Sequence, residues 1–217
     1  MAVKIPNIKN FDISFFKKSQ QSKDSDDKIA QLQEQIEIQK LQIEVLFMII
    51  DRYRAMIEET ESKSVAELST LIKPTDGTIT ELKVYIEDHF HPYIYSENFI
   101  LATQKALDIV FSWKKIKLPI SFWMSFDHML KLKAADDIDL AVFICSLFRA
   151  LGSDNAKVVI GKDKSAWVFF TFNNKDYIVD IAKKSMSAYP HDSAEVREFF
   201  YLAAYAFNDL EHADLTD

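Results

Sequence analysis

The sequence predicts an α+β protein: several helices and a short antiparallel sheet, preceded by a long N-terminal coiled-coil helix. Three observations predict it. Isoleucine recurs every seven residues through the first third of the chain; apolar helical runs punctuated by Pro and Gly follow; three short β-rich runs and a further helix come last. At 217 residues, 48% hydrophobic with Phe 17, the chain can bury a sizeable core and is too apolar for wholesale disorder. Acidic residues outnumber basic ones by 33 to 26, a net charge of −7 that argues against a nucleic-acid partner. Gly 3 excludes Gly-rich phosphate loops, and the single cysteine excludes a disulfide framework or a multi-cysteine zinc site. No cleavable signal pattern opens the sequence, so the expected compartment is the reducing cytoplasm.

Three segments are expected: a tail and tether over 1–28, a coiled-coil helix over 29–72 and a globular domain over 78–217. Lys18 to Lys28 contains no apolar residue and reads as a solvated tether. Ahead of it, Ile8, Phe11 and Phe15 are spaced three and four apart, followed by Lys17 and Lys18. Residues 8–18 therefore read either as a loosely ordered terminus or as a short amphipathic helix docking on a partner or a membrane surface.

From Ile29 the pattern changes. Ile29, Ile36, Ile43, Ile50 and Ile57 hold the a positions of a heptad, and Leu32, Gln39, Leu46, Tyr53 and Thr60 hold the d positions. With Asp26 or Asp27 as cap and no Pro or Gly inside, the repeat predicts an unbroken helix. Ile at a with Leu at d favours a parallel dimer, with Ile29, Leu32, Ile36, Ile43, Leu46, Ile50, Tyr53 and Ile57 as its contacts. A second stripe, Ile38, Leu41, Val45, Met48 and Ile49, with Phe47 beside it, makes the helix apolar nearly all round between 38 and 50. More than one face must then be covered, by the chain's own domain or by an oligomer larger than two. Gln39, Lys40, Gln42 and Glu44 interrupt the run, which argues against a membrane span.

Lys73-Pro-Thr-Asp-Gly77 marks a turn. Helices are expected over 80–90, 96–113, 121–133 and 139–151, the last closed by Gly152 as a left-handed cap. Strands are expected over 157–160, 167–172 and 177–181, with Asn173-Asn174-Lys175-Asp176 as a hairpin loop. Pro190, Asp192 and Glu195 open a final helix, Asp192 as cap and Glu195 three residues on as a capping box.

Asp136-Asp137-Ile138-Asp139-Leu140-Ala141, Ser146-Leu147-Phe148-Arg149-Ala150-Leu151-Gly152, Val158-Val159, Gly161, Ala166-Trp167-Val168 and Ile178-Val179-Asp180 form a series. Over 130–183 it resembles the core of the transglutaminase-like superfamily, part of the papain-like cysteine-protease fold. The resemblance implies a nucleophilic Cys at the start of the buried helix, a His directly before the small residue and Trp, and an Asp on the next strand. Here Asp137 stands at the Cys position and Ser165 at the His position, and only Asp180 matches. Thiolate attack needs sulfur activated by an oriented imidazole, and a carboxylate beside a hydroxyl supplies neither. The resemblance thus implies the fold and a degenerate triad, Asp137, Ser165 and Asp180.

Other candidates are read as structural. Cys145, eight residues past Asp137 inside Val142-Phe143-Ile144, is expected to be buried and inert. His89 and His91 stand at i and i+2, facing alike only on a strand, whereas the segment reads as a helix end. Asp136, Asp137 and Asp139 suit either a hard cation or, as preferred, capping and dipole stabilisation of a helix. The aromatic stretch 121–126 suits a core-facing helix or a ligand groove. No cofactor and no metal are implied. Two functions follow: an oligomeric, non-catalytic module offering a groove to a protein or peptide, or a hydrolase or acyl-transfer enzyme with an unusual site.

Overall fold

A computed structural model of the chain describes residues 14–118, 120 and 122–216, with the backbone alone for 14–27, 30 and 65. Ile8 and Phe11 lie outside the described residues. The chain divides into two compact units, Met1–Met56 and Ile57–Asp217.

The described part of the first unit is helical and belongs to α1 (Ser14–Glu61), one continuous helix of 48 residues. The helix starts earlier than the heptad repeat suggested and runs through the polar stretch 18–28. Gln and Lys are good helix formers, and no Pro or Gly stands there to stop propagation. In the single chain, the seam residues Ile29, Leu32, Ile36, Ile43, Leu46 and Tyr53 are about half-exposed, and so are the second-stripe residues.

In the second unit the end of α1 is followed by a single turn of helix, α2 (Val65–Leu68), and a 3-10 turn at Ser69–Leu71. Leu68 and Ile72 are buried in the globular core, so this stretch belongs with the domain although the sequence grouped it with the coil. Asp76 caps α3 (Gly77–Glu87), accepting from the Thr78 N–H at 2.9 Å. Then come α4 (Tyr95–Phe111), β1 (Lys114–Lys115), α5 (Phe126–Leu132) and β2 (Ala134–Ala135), which pairs with β1 in parallel. α5 is shorter than the aromatic run suggested: Ser125 caps it, and Lys133 at φ 49 ends it in the left-handed region.

Helix α6 (Asp137–Ala150) is the centre of the unit, with every residue from Asp139 to Phe148 buried. Its C-terminus closes in a Schellman motif: the Gly152 N–H donates to Arg149 O at 3.1 Å and the Ser153 N–H to Phe148 O at 3.0 Å. Gly152 has φ +107, and the Tyr95 ring lies only 3.0 Å from where a Cβ would stand, so this position needs glycine.

The sheet contains β3 (Lys157–Gly161), β4 (Ala166–Phe172), β5 (Lys175–Asp180), β6 (Ser185–Pro190), β7 (Ala203–Phe207) and β8 (His212–Asp214). Its order is β6-β5-β4-β3-β7-β8 and every pairing is antiparallel. Asn173 (φ 48) and Asn174 (φ 57) form the two-residue turn joining β4 to β5, both in the left-handed region that a type I′ turn requires. Side chains alternate across the sheet. Val168, Phe170, Phe172 and Val179 join α3, α4 and α6 in the larger core, while Val159 and Phe169 pack on the other face against Val196 and Phe199 of α7 (Ala194–Leu202).

The sequence missed β1, β2, β6, β7 and β8, and one cap is reassigned. Ser193, not Asp192, caps α7. Asp192 sits at φ 55, a conformation Asp tolerates, where its N–H donates to Asp176 Oδ2 at 3.0 Å.

One ion pair ties the two ends of the domain core together. Arg149, only 8% exposed, donates from Nε to Asp209 Oδ1 at 2.6 Å and from Nη2 to Oδ2 at 3.3 Å, while Nη1 donates to Ser153 O at 2.8 Å. The bidentate fork fixes the loop between β7 and β8 to the end of α6. Because truncating one partner strands a buried charge, Arg149→Ala is expected to destabilise the unit by about 3 kcal/mol in urea unfolding. A loss below about 1 kcal/mol would show a solvated, dispensable pair.

Candidate functional site

The N-terminus of α6 opens onto the surface between two clefts. Asp136 is its N-cap, accepting from the Asp139 N–H at 2.8 Å. Asp137, in the first turn, pairs through Oδ2 with Lys115 Nζ at 2.6 Å, so β1 supplies the counter-charge. The Asp137 Oδ1 is buried without a hydrogen-bond partner. These acidic residues lie where the helix dipole and free N–H groups favour negative charge.

Asp139 differs from its neighbours. It is 2% exposed, its Oδ1 accepts from the Met124 N–H at 3.3 Å, and its Oδ2 is buried without a partner. Burial, reinforced by the nearby Asp136 carboxylate, pushes its pKa up to about 7. Burial also raises Asp136, against the hydrogen bonds it accepts from the helix backbone.

One cleft, of about 490 Å³, is lined by Lys115, Ile116, Leu118, Asp137 and Lys164 among others. Its neighbour, of about 380 Å³, is lined by Glu61, Lys63, Phe122, Trp123, Asp136 and Asp139. Trp123 is held there by the end of α1, its indole N–H donating to Glu61 O at 3.0 Å. Part of the aromatic stretch that the sequence offered as helix or groove is therefore groove wall, ahead of α5.

Asp137, Ser165 and Asp180, the three positions that the sequence resemblance picked out, are each engaged separately. Asp137 pairs with Lys115. Ser165 stands in the turn between β3 and β4, its N–H donating to Asp163 Oδ1 at 3.0 Å and its hydroxyl bonded to the same oxygen. Asp180 ends β5 opposite Trp167 of β4, accepts from the Lys183 N–H at 2.9 Å and pairs with Lys183 Nζ at 2.9 Å. Burial raises the Asp180 pKa, but the bonds from Lys183 and the Trp167 indole outweigh it and leave the carboxyl below its ordinary value. Among the described residues, no hydrogen bond or ion pair joins Asp137, Ser165 and Asp180 to one another. Lys164, next to Ser165, shares the cleft of Asp137, whereas Asp180 and Trp167 line a separate groove with Tyr189, Glu198 and Phe199 on the α7 side.

Cys145 is fully buried inside α6, and burial drives its thiol pKa far upward, so it holds no thiolate. His89 bonds Tyr85 O through Nδ1 at 2.8 Å just past the end of α3, and His91 pairs with Asp88 at 3.2 Å. No group of three or more His, Cys, Asp or Glu among the described residues is arranged to hold a metal ion.

Sequence reasoning missed an imidazole–carboxylate pair. Asp176, 2% exposed at its side chain, accepts from the Thr171 hydroxyl at 2.7 Å and bonds His191 Nδ1 at 2.9 Å. The bond raises His191, and the three donors together outweigh burial and hold Asp176 low. The two residues are fifteen apart in sequence and meet only because β5 and β6 pair, so no local spacing betrays them. The pair lies in the groove between the sheet and α7, with no thiol beside it.

Fold and site together define an α+β protein whose central buried helix begins in an acidic cluster and whose sole cysteine is inaccessible. Among solved structures the chain is similar to Legionella pneumophila LapG, at 15% identity and a TM-score of 0.47 over 70% of this chain and 88% of that one. The EGTA-treated form of Legionella pneumophila LapG gives 14% identity and a TM-score of 0.44, over 70% and 90%. No protein-family model and no curated protein matches the chain.

The Asp139 carboxyl carries a stability signature. Its folded pKa, about 7, lies above the ordinary 3.8, so the native state holds the proton more tightly than the unfolded chain. The stability this contributes is complete below pH ~4 and is lost as pH rises through ~7. Asp139→Asn, which keeps the shape and removes the titration, should therefore be more stable than the unmodified protein at pH 8 by about 1–2 kcal/mol and lose that advantage at pH 4. Equal effects at both pH values in thermal or urea unfolding would show that Asp139 is ionised throughout.

Proposed function

We propose that the chain is a non-catalytic interaction protein: a transglutaminase-like domain with a degenerate triad, carried on a helix that joins two copies in a parallel coiled coil. The observation that carries the proposal is the a/d stripe of α1, whose Ile29, Leu32, Ile36, Ile43, Leu46 and Tyr53 are exposed along an unbroken helix. Apolar side chains recurring along one helix face are the usual mark of a partner surface. The domain contributes a groove rather than a reaction. Asp137 replaces the nucleophile and is tied to Lys115, Ser165 replaces the base and is tied to Asp163, and the one thiol is sealed in the core. The two clefts flanking the start of α6, the smaller with Trp123 and Phe122 in its wall, are the surface offered to a peptide or protein segment. The working compartment is proposed to be the cytoplasm; no helix of the described residues is long and apolar enough to cross a membrane.

Burying each seam isoleucine is worth roughly 1.5–3 kcal/mol, so Ile36→Asp with Ile43→Asp is expected to convert a dimer to monomers at micromolar concentration. Light scattering that finds the unmodified protein monomeric would sink the coiled-coil half of the proposal. Against a panel of amides and glutamine donors, no turnover is expected above that of buffer. Turnover abolished by Asp137→Ala would instead establish a hydrolase or acyl-transfer enzyme with an unusual site.

A further inference from the structure

Helix α1 carries a second seam, and its pattern reads the same in reverse. The second-stripe residues Ile38, Leu41, Val45 and Met48 follow the spacing three, four, three, as a and d positions do, but stand at c and f of the heptad defined by Ile29 and Ile36. Positions c and f lie two residues beyond a and d, about 200° further round the helix, so the two seams occupy nearly opposite sides. All four side chains are exposed, Leu41 and Met48 by 62% and 64%. Extending the seam outward from this apolar centre gives Glu34 at one end and Arg52 at the other, both exposed.

We infer that this second seam joins the helix to another copy of the chain running antiparallel, so that parallel dimers associate side by side. Reversing one helix about residue 43 places Ile38 opposite the copy's Met48 and Leu41 opposite its Val45, every layer apolar. The same reversal sets Glu34 opposite the copy's Arg52 at both ends, two complementary ion pairs. A parallel copy on this seam would stack Glu34 on Glu34 and Arg52 on Arg52, which like-charge repulsion disfavours. The charged ends therefore select both the occupant and its direction. Four apolar layers make a short contact, so the association is weaker than that of the longer a/d seam and reversible. Because the seams face opposite ways, four chains do not close: an unpaired c/f seam remains on each outer helix, and growth proceeds dimer by dimer with concentration.

The inference rests on the parallel a/d dimer, and the test separates the two. In sedimentation velocity over a concentration series, the full-length protein should exceed the dimer mass increasingly with concentration. Leu41→Lys with Val45→Lys should hold it at the dimer at every concentration. Glu34→Arg should weaken the higher assembly by roughly tenfold or more, and Glu34→Arg with Arg52→Glu should restore it. Under mild oxidation, a chain carrying both Glu34→Cys and Arg52→Cys should link to other chains, whereas either substitution alone should not. A concentration-independent dimer that Ile36→Asp and Ile43→Asp dissolve would overturn the second seam and leave the first standing. Assembly that persists unchanged in Leu41→Lys with Val45→Lys, or links formed by the single Glu34→Cys variant, would overturn it equally. A monomeric unmodified protein would overturn both.

Discussion

Helix α6 is buried on every side and largely apolar, and the rest of the globular unit is arranged by the need to cover it. A helix buried from Asp139 to Phe148 cannot rest on one surface. The sheet takes one side through Val168, Phe170 and Val179, and α3 and α4 take the others through Ile79, Ile86, Phe99 and Ala106. Phe99 meets Phe148 and Phe170 edge-on at 6.3 and 5.5 Å, so the contact is built from aromatic rings in their favoured geometry. Both ends of α6 are then closed by polar devices: the Asp136 cap at the start, the Gly152 motif and the Arg149 fork at the finish.

The same burial shapes the chemistry at the start of α6. The helix end favours negative charge, yet the carboxyl nearest the core, Asp139, has lost water and gained only one backbone donor. Its proton affinity rises accordingly. Asp137, two residues earlier and nearer the surface, has Lys115 at 2.6 Å. Three aspartates within four residues thus occupy different electrostatic settings, set by depth. The imidazole that the fold does orient against a buried carboxylate, His191, stands in the groove beside α7, while the thiol of Cys145 points into the core of α6. A thiol and an imidazole so placed cannot form the nucleophile–base contact of a cysteine enzyme.

Helix α1 obeys the opposite logic. Where α6 meets its apolar surface within the chain, α1 presents Leu41, Met48, Leu46 and Ile43 to solvent. Apolar rows on two sides of a single helix are expensive to leave wet, and the proposed association between chains would remove that cost without enlarging the fold. Glu34 and Arg52 bracket the second row with opposite charge, which is how a flat apolar surface acquires a direction.

The sequence by itself determined what depends on local pattern. The Ile heptads specified an unbroken helix, Gly152 specified where α6 stops, and Asn173-Asn174 specified the hairpin between β4 and β5. Each is a backbone or periodicity signal confined to a few residues. Tertiary structure decided the rest. Ala203-Ala204-Tyr205-Ala206-Phe207 would suit a helix by composition, but pairing with β3 buries Ala203, Ala206 and Phe207, and the strand forms because the ladder is there to receive it. β6 has mostly exposed side chains and exists by completing the edge of β5. Asp139 and Asp137 look alike in sequence, and only depth in the folded chain separates a carboxyl that titrates near neutrality from one held by a lysine. Charge, solvation and strand pairing across long loops are properties of neighbours, and those neighbours come together only when the chain folds.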